Sequence, residues 1–466
     1  MVGIGQQVVM AILAGLVLAQ FAWAEPPEIP DRPPPLTFDK HVDYVAWYND
    51  FVRRGRDEKD NAYPLYLKLC PNKDGKGGFP KPEGKAAEQF EKAVGRVWTK
   101  DEFPELAEYL KGLQPAFGQF RAATRKKDFW EPARPDAISI IEVVIPATVN
   151  GHQTLQAWDV QLWQADSRKS ENIRAFCSSA LRFASHVEQN SITINGLIAL
   201  RSRMFAYEQL LSGLDECVID PSEAEAFFTR CRKLDRGDFS WTRCFTVEWA
   251  FCLDGIQLFR LRESSDPKLA KKAASLLEMA EVSDSETGKT PPDIESAAEF
   301  ADMHFPELVS TLKLHGSSRK AVELLRDIEA KAAEPIRKNT ALRAFMSRLS
   351  RGIELSLRES AFRRGTLTVL ALHAHYAKHG TWPGTLEAID KKLGLKGLKK
   401  TNIDPYSDKP FIYKLKDGQP LLYSVGVDGK DDGGIHHPKF GDGATGPADF
   451  VFWPYQKPET KLDVGG

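Results

Sequence analysis

The residues best suited to chemistry lie near the end of the chain, in LLYSVGVDGKDDGG, Leu421 to Gly434, followed by ADFVFW, Ala448 to Trp453. Two alternating apolar runs there flank a loop crowded with glycine and aspartate. Calcium takes six to eight oxygens from carboxylates, backbone carbonyls and water. The loop offers exposed carbonyls beside the carboxylates of Asp428, Asp431 and Asp432. A long segment without regular structure is unusual inside a compact domain unless something organises it. The spacing is not that of an EF-hand, because Lys430 and Lys439 stand at the third and twelfth loop positions, where oxygen ligands are required. The alternative is a solvated turn that binds nothing.

Other chemistry is weaker. In HAHYAKH, His373 to His379, the rings of His375 and His379 fall one helical turn apart. The glutamate that a zincin uses after its first histidine is missing, no third ligand accompanies the pair, and an ordinary helix end is the better reading. His436 and His437 suit zinc or copper better than calcium, and otherwise read as exposed loop residues. No G-x-S-x-G elbow occurs, so a serine hydrolase of the α/β type has no anchor. The loop PNKDGKGGFPKPEGK, Pro71 to Lys85, lacks the phosphate-loop spacing. Glu248, Asp254 and the carboxylates at 284–286 read as solvated helix surface. Trp130, Trp158, Trp163, Trp241, Trp249 and Tyr207 read as core, with Trp158 and Trp163 as the floor of a sugar or peptide groove in the alternative.

The elements that must position these groups are mostly helical. Apolar spacing of three and four residues predicts helices over 41–54, over two stretches between 86 and 130, and with breaks from Leu155 to about Glu359. AISIIEVVIPATV, Ala137 to Val149, is β-branched and reads as a strand or as an extended piece laid over helices. Start signals stand at Asp220-Pro221-Ser222, Asp266-Pro267 and Thr290 to Asp293. A broadly apolar helix is expected from about Phe362 to Lys378, stopped by Gly380 and Pro383, then a short helix over Leu386 to Leu393, then a sheet.

At 466 residues, with 42% hydrophobic and 27% charged, the chain is an ordinary globular protein of more than one core's length. Its 63 basic and 64 acidic side chains nearly cancel, so charge gives no argument for a nucleic-acid partner. Val8 to Val17 is an apolar run that ends at Ala22-Trp23-Ala24, a small-x-small cleavage pattern. This predicts a signal peptide over 1–24, a proline-rich linker over 25–40, and a periplasmic or extracellular location. The membrane is a partner only if that segment stays uncleaved. Export allows disulfides among Cys70, Cys177, Cys217, Cys231, Cys244 and Cys252. Buried thiols are the preferred reading, with Cys217 and Cys231 the pair to test for a bridge.

The order of helix, YAKHGTWPGTLEAI, DPYSDKPFIYKL, LLYSVGVDGKDDGG and ADFVF resembles the globular part of the type II secretion major pseudopilin, the G protein, over about Phe362 to Trp453. The resemblance implies a long helix packed on a small antiparallel sheet, and a structural calcium ion between the last strands. Carried onto this sequence, it implies Asp428 as an acidic ligand and Val425 as a backbone-carbonyl ligand. Asp432, Asp442 and Asp449 are the candidates for the second acidic ligand. The glycine-phenylalanine prepilin motif of that family is missing from the N-terminal segment, and the helix is internal. The expected fold is therefore mainly α: a helical body over 41–359, in one or two subdomains, followed by an α+β module over 360–466. The expected function is an exported, non-enzymatic protein with a helical interaction body, a protein partner and a calcium-stabilised module. The alternatives are a secreted hydrolase with its site in the helical body, and an envelope component of a secretion or pilus-like machine.

Overall fold

The computed structural model describes residues 32–37, 40–69, 79–134, 136–143, 145–279, 293–346, 349–393, 395, 398–437 and 449–456. The expected signal segment, the first part of the linker, Cys70, residues 284–286 and Asp442 lie outside them.

The first helices are α1 (Tyr44–Arg53), α2 (Tyr63–Leu67), α3 (Gly84–Ala93), α4 (Pro104–Gly112) and α5 (Gln114–Ala123). Asp43 caps α1 by accepting the Ala46 amide at 2.8 Å, and Tyr44, Tyr48, Phe51 and Val52 form its buried stripe. The body continues with α6 (Pro146–Leu162), α7 (Ser170–Val187), α8 (Thr193–Asp215), α9 (Ala224–Leu234), α10 (Thr242–Leu261), α11 (Pro267–Met279), α12 (Ile294–His315), α13 (Arg319–Lys338) and α14 (Thr340–Phe345).

The β-branched stretch at 137–149 is neither strand nor extended cover. It makes a 3-10 turn over Ile140–Glu142, and Pro146 opens α6. Proline suits the first helical turn, where its missing N–H costs nothing. The cap comes from outside the helix: Glu131, fully buried, accepts the Ala147 amide at 2.6 Å and the Thr148 hydroxyl at 2.6 Å.

α15 (Ser350–His379) is the longest helix and joins the two parts of the chain. It packs on α8, α9 and α13 on one side and on β4 (Gln419–Ser424) and β5 (Phe450–Trp453) on the other. It begins well before the expected start at Phe362, and the 359/360 boundary falls inside it. The charged run RESAFRRG does not interrupt the helix, because its charges find partners indoors. Arg363 is 3% exposed and reaches Asp235 at 2.9 Å, and Arg203 pairs with Glu188 beside the fully buried Glu359. Gly380 ends the helix in the left-handed conformation, φ 70°, and its amide returns to the Tyr376 carbonyl at 2.7 Å.

Two short helices, α16 (Leu386–Leu393) and α17 (Leu398–Thr401), lead into the sheet region. β1 (Ile403–Asp404) pairs with β2 (Lys409–Pro410), and β3 (Ile412–Lys416), β4 and β5 form an antiparallel sheet in that order. Asp417 and Gly418 form the tight β3–β4 turn, both with positive φ. The expected long helix on a small antiparallel sheet is present. Gly365 is what lets them meet: a Cβ there would lie 2.5 Å from the ring of Phe452. Buried apolar side chains from Tyr44 to Phe452 form one continuous core. Among the described residues no helix is long and apolar enough to cross a membrane.

Candidate functional site

The β4–β5 loop is built on Asp404, a residue that motif reading passed over. Asp404 is 1% exposed and clamps the end of β4. Its Oδ2 accepts the Ser424 hydroxyl at 2.9 Å and the Val425 amide at 3.0 Å, and its Oδ1 accepts the Tyr406 amide at 3.0 Å. Burial raises its pKa against these bonds. The available signal was the Asp-Pro of DPYSD, a turn-forming aspartate beside the expected strands. Arg319, at the start of α13, holds its guanidinium where a side chain at 429 would have to sit, so glycine there lets the loop lie against the helical body.

Along the loop the four expected ligands within the described residues separate. Val425 is buried, with its amide on Asp404. Asp428 is exposed and folds back on its own turn, Oδ1 accepting the Lys430 amide at 3.0 Å. Asp431, not among the expected ligands, accepts the Tyr423 hydroxyl at 2.7 Å and the Gly433 amide at 2.9 Å, with Lys414 at 3.7 Å. Those bonds, Tyr423 first, hold its pKa below the usual carboxylate range.

Asp449, immediately before β5, is different. It is fully buried; Oδ2 accepts the Gly434 amide at 2.8 Å, and Oδ1 has no hydrogen-bond partner of normal geometry. Its carbonyl takes the His437 amide at 2.7 Å. Burial, then the carboxylates of Asp432 and Asp431, push its pKa up to about 6, although the Gly434 and Asp432 amides favour the charged form. Asp449 thus lies within electrostatic reach of Asp432 and Asp431, and Asp428 is left on the outside. Among the described residues no group of three or more His, Cys, Asp or Glu side chains is arranged to hold a metal ion.

The histidines read as follows. His436 is partly buried rather than exposed: its Nδ1 accepts the Val451 amide at 3.1 Å and its ring lies 4.8 Å from that of Phe450. Burial lowers its pKa to about 4. His375 and His379 stand with ring centroids 4.5 Å apart, His375 buried and bonded to the Thr381 carbonyl at 3.1 Å, His379 exposed.

In the helical body, Trp130, Trp158, Trp163, Trp241, Trp249 and Tyr207 are all buried. Asp254 is not solvated surface: it is fully buried and accepts the Ser139 hydroxyl at 2.6 Å and the Ile140 amide at 2.7 Å. Cys217 and Cys231 are not bridged. Cys217 is exposed beyond the end of α8 and Cys231 is buried within α9, and with Cys177, Cys244 and Cys252 they carry free thiols. A cavity of about 300 Å³ opens where Asp238, Trp241, His315, Ser318, Arg364 and Asp408 meet. Asp238 is already committed there, to Ser360 at 2.6 Å, Arg364 at 2.7 Å and Arg363. Burial opposes its ionisation, but the two arginines hold its pKa below the usual range, so it is no poised general acid.

Compared with protein-family models, with curated proteins and with solved structures, the chain matches none.

Proposed function

We propose that the protein is an exported, non-catalytic protein in which a helical body engages a protein partner and a pseudopilin-like C-terminal module is held by calcium between β4 and β5. One observation carries this reading: Asp449 buries a carboxylate oxygen that has no hydrogen-bond partner of normal geometry, within electrostatic reach of Asp432 and Asp431. A buried anion among like charges is costly unless a cation or a proton joins it. A hard cation there would take oxygen from Asp449 and Asp432. The rest of its six to eight ligands would come from loop carbonyls such as that of Val425 and from water, with Asp428 at the outer edge. The metal would tie the sheet's last strand to the loop that faces α13, and so stiffen the surface the module presents.

The test is the thermal midpoint of the full chain in calcium and in chelator. At calcium about a hundredfold above its dissociation constant the gain is about 2.7 kcal/mol, read as a midpoint a few degrees higher. Asp449→Asn should abolish the shift while still folding, because it removes the buried charge that the metal neutralises. Asp428→Ala should weaken it. Identical midpoints in calcium and chelator would dispose of the calcium reading.

A further inference from the structure

The nearly neutral chain does not spread its charge evenly. Along α7, Ser178, Arg182 and His186 fall on one stripe at four-residue spacing. Arg230 of α9 reaches the Ser178 hydroxyl at 3.1 Å, and the residue after Arg125 gives its carbonyl to His186 at 2.9 Å. Just past the helix end, Arg56 donates to the Gln189 carbonyl at 3.1 Å and Arg243 to the Ser191 hydroxyl at 3.0 Å. Arg236 lies within electrostatic reach of Arg56, His186 and Glu188.

Six guanidiniums therefore share one face: Arg56, Arg125, Arg182, Arg230, Arg236 and Arg243. Among the described residues none of the six is in an ion pair, whereas most other arginines of the body are. Burial and then the neighbouring charges of Arg243 and Arg236 lower the pKa of Arg56 to about 10, with Asp128 opposing. Burial, Arg230 and Arg125 lower that of Arg182. Capping the C-terminal end of α7 accounts for Arg56 and Arg243. It does not account for Arg125, Arg182, Arg230 and Arg236, three of which are exposed and the fourth partly so.

We propose that this arginine face docks an acidic segment of a protein partner. A guanidinium held along one edge by a carbonyl or hydroxyl keeps its other N–H groups free for a carboxylate, which its planar fork matches in two-point contact. Steering by like-signed charge collected on one face needs no net charge on the molecule. Single-stranded nucleic acid is disfavoured because, among the described residues, the face offers no exposed aromatic ring on which a base would stack. Phe51, the ring under Arg243, is itself buried. This inference is separate from the metal loop and holds whether or not calcium binds.

The test uses the full-length protein and a fluorescein-labelled oligoglutamate peptide, followed by anisotropy at low ionic strength. Oligoglutamine of equal length and a single-stranded oligonucleotide serve as comparisons. The oligoglutamate should bind and the oligoglutamine should not, with equal affinity in calcium and in chelator. Binding should fade as salt rises from about 0.01 to about 0.15 M, where screening shortens from roughly 30 to roughly 8 Å. The combined variant Arg125→Gln, Arg182→Gln, Arg230→Gln should weaken binding at least about tenfold with an unchanged circular dichroism spectrum. The control variant Lys111→Gln, Arg134→Gln, at exposed cations paired with Glu108 and Asp136, should not weaken it. The proposal is overturned if the peptide does not bind, if the two sets of variants lose affinity equally, or if the oligonucleotide binds more tightly than the peptide.

Discussion

Replacing Gly365 by alanine asks directly whether the sheet is seated on α15. In an exposed helix interior, Gly→Ala stabilises by about 1 kcal/mol, because alanine has the better helix propensity. Here the added Cβ would lie 2.5 Å from Phe452, well inside any tolerated carbon contact. The ring cannot step aside: Phe452 is fully buried, with Phe411 at 5.1 Å, Phe450 at 5.3 Å and Phe362 at 6.5 Å between centroids. Overpacking of this kind costs about 1–3 kcal/mol, so the steric term wins and the net effect is a loss of up to about 2 kcal/mol. Phe452→Ala alone should cost about 3–5 kcal/mol through the cavity it leaves. In the double variant the two changes should compensate by about 1 kcal/mol or more, since the methyl then enters vacated space. Urea unfolding of the four proteins, read by tryptophan fluorescence and by circular dichroism, closes the cycle. If Gly365→Ala shifts the midpoint upward, or the two substitutions are strictly additive, β5 does not lie on this helix.

Three further outcomes follow from buried groups. Burial raises the pKa of Glu131 to about 7 despite its bonds to Thr148 and Ala147. A carboxyl whose folded pKa exceeds its unfolded value of 4.5 contributes stability that is present below pH 4.5 and lost as pH rises through about 7. Glu131→Gln should therefore flatten the pH dependence of stability over that window. Near pH 5, where the buried carboxyl carries its proton, glutamine is its near-isostere and should cost only about 1 kcal/mol; a variant as steep in pH as the parent would contradict this. In the native protein a thiol reagent should modify Cys217 among the five described cysteines and leave Cys177, Cys231, Cys244 and Cys252 unreacted, since those four are buried; mass spectrometry of the labelled peptides reads this out, and rapid labelling of Cys231 would count against the packing of α9. Asp404→Ala should cost about 1–3 kcal/mol by leaving the Val425 and Tyr406 amides without their acceptor, measured by urea unfolding, and an effect below a few tenths would mean the loop is not hung from that side chain.

What the sequence made legible was whatever depends on neighbours in the chain. Gly380 and Pro383 mark the end of α15, the apolar stripes mark α1 and α4, and the alternation in LLYS and DFVFW marks β4 and β5, because each signal is a property of a few consecutive residues. What stayed hidden depends on a partner far along the chain. Asp254, a carboxylate in a helix, has the look of surface until Ser139 supplies its hydrogen bond from 115 residues away. RESAFRRG looks like a polar interruption until Asp235 and Asp238 arrive beside Arg363. The loop divides along the same line. Asp428 is conspicuous because it sits in an Asp-Gly turn, and a turn is what it makes; Asp449 stands in the sequence as one of three candidates for a second acidic ligand, and the strand is what carries it into the interior with no normal hydrogen bond to Oδ1. The arginine face follows the same logic with the sign reversed. Its six members come from four separate stretches of a chain whose charges cancel in total, and only the packing of α7 against its neighbours gathers them without an ion pair to any of the six among the described residues.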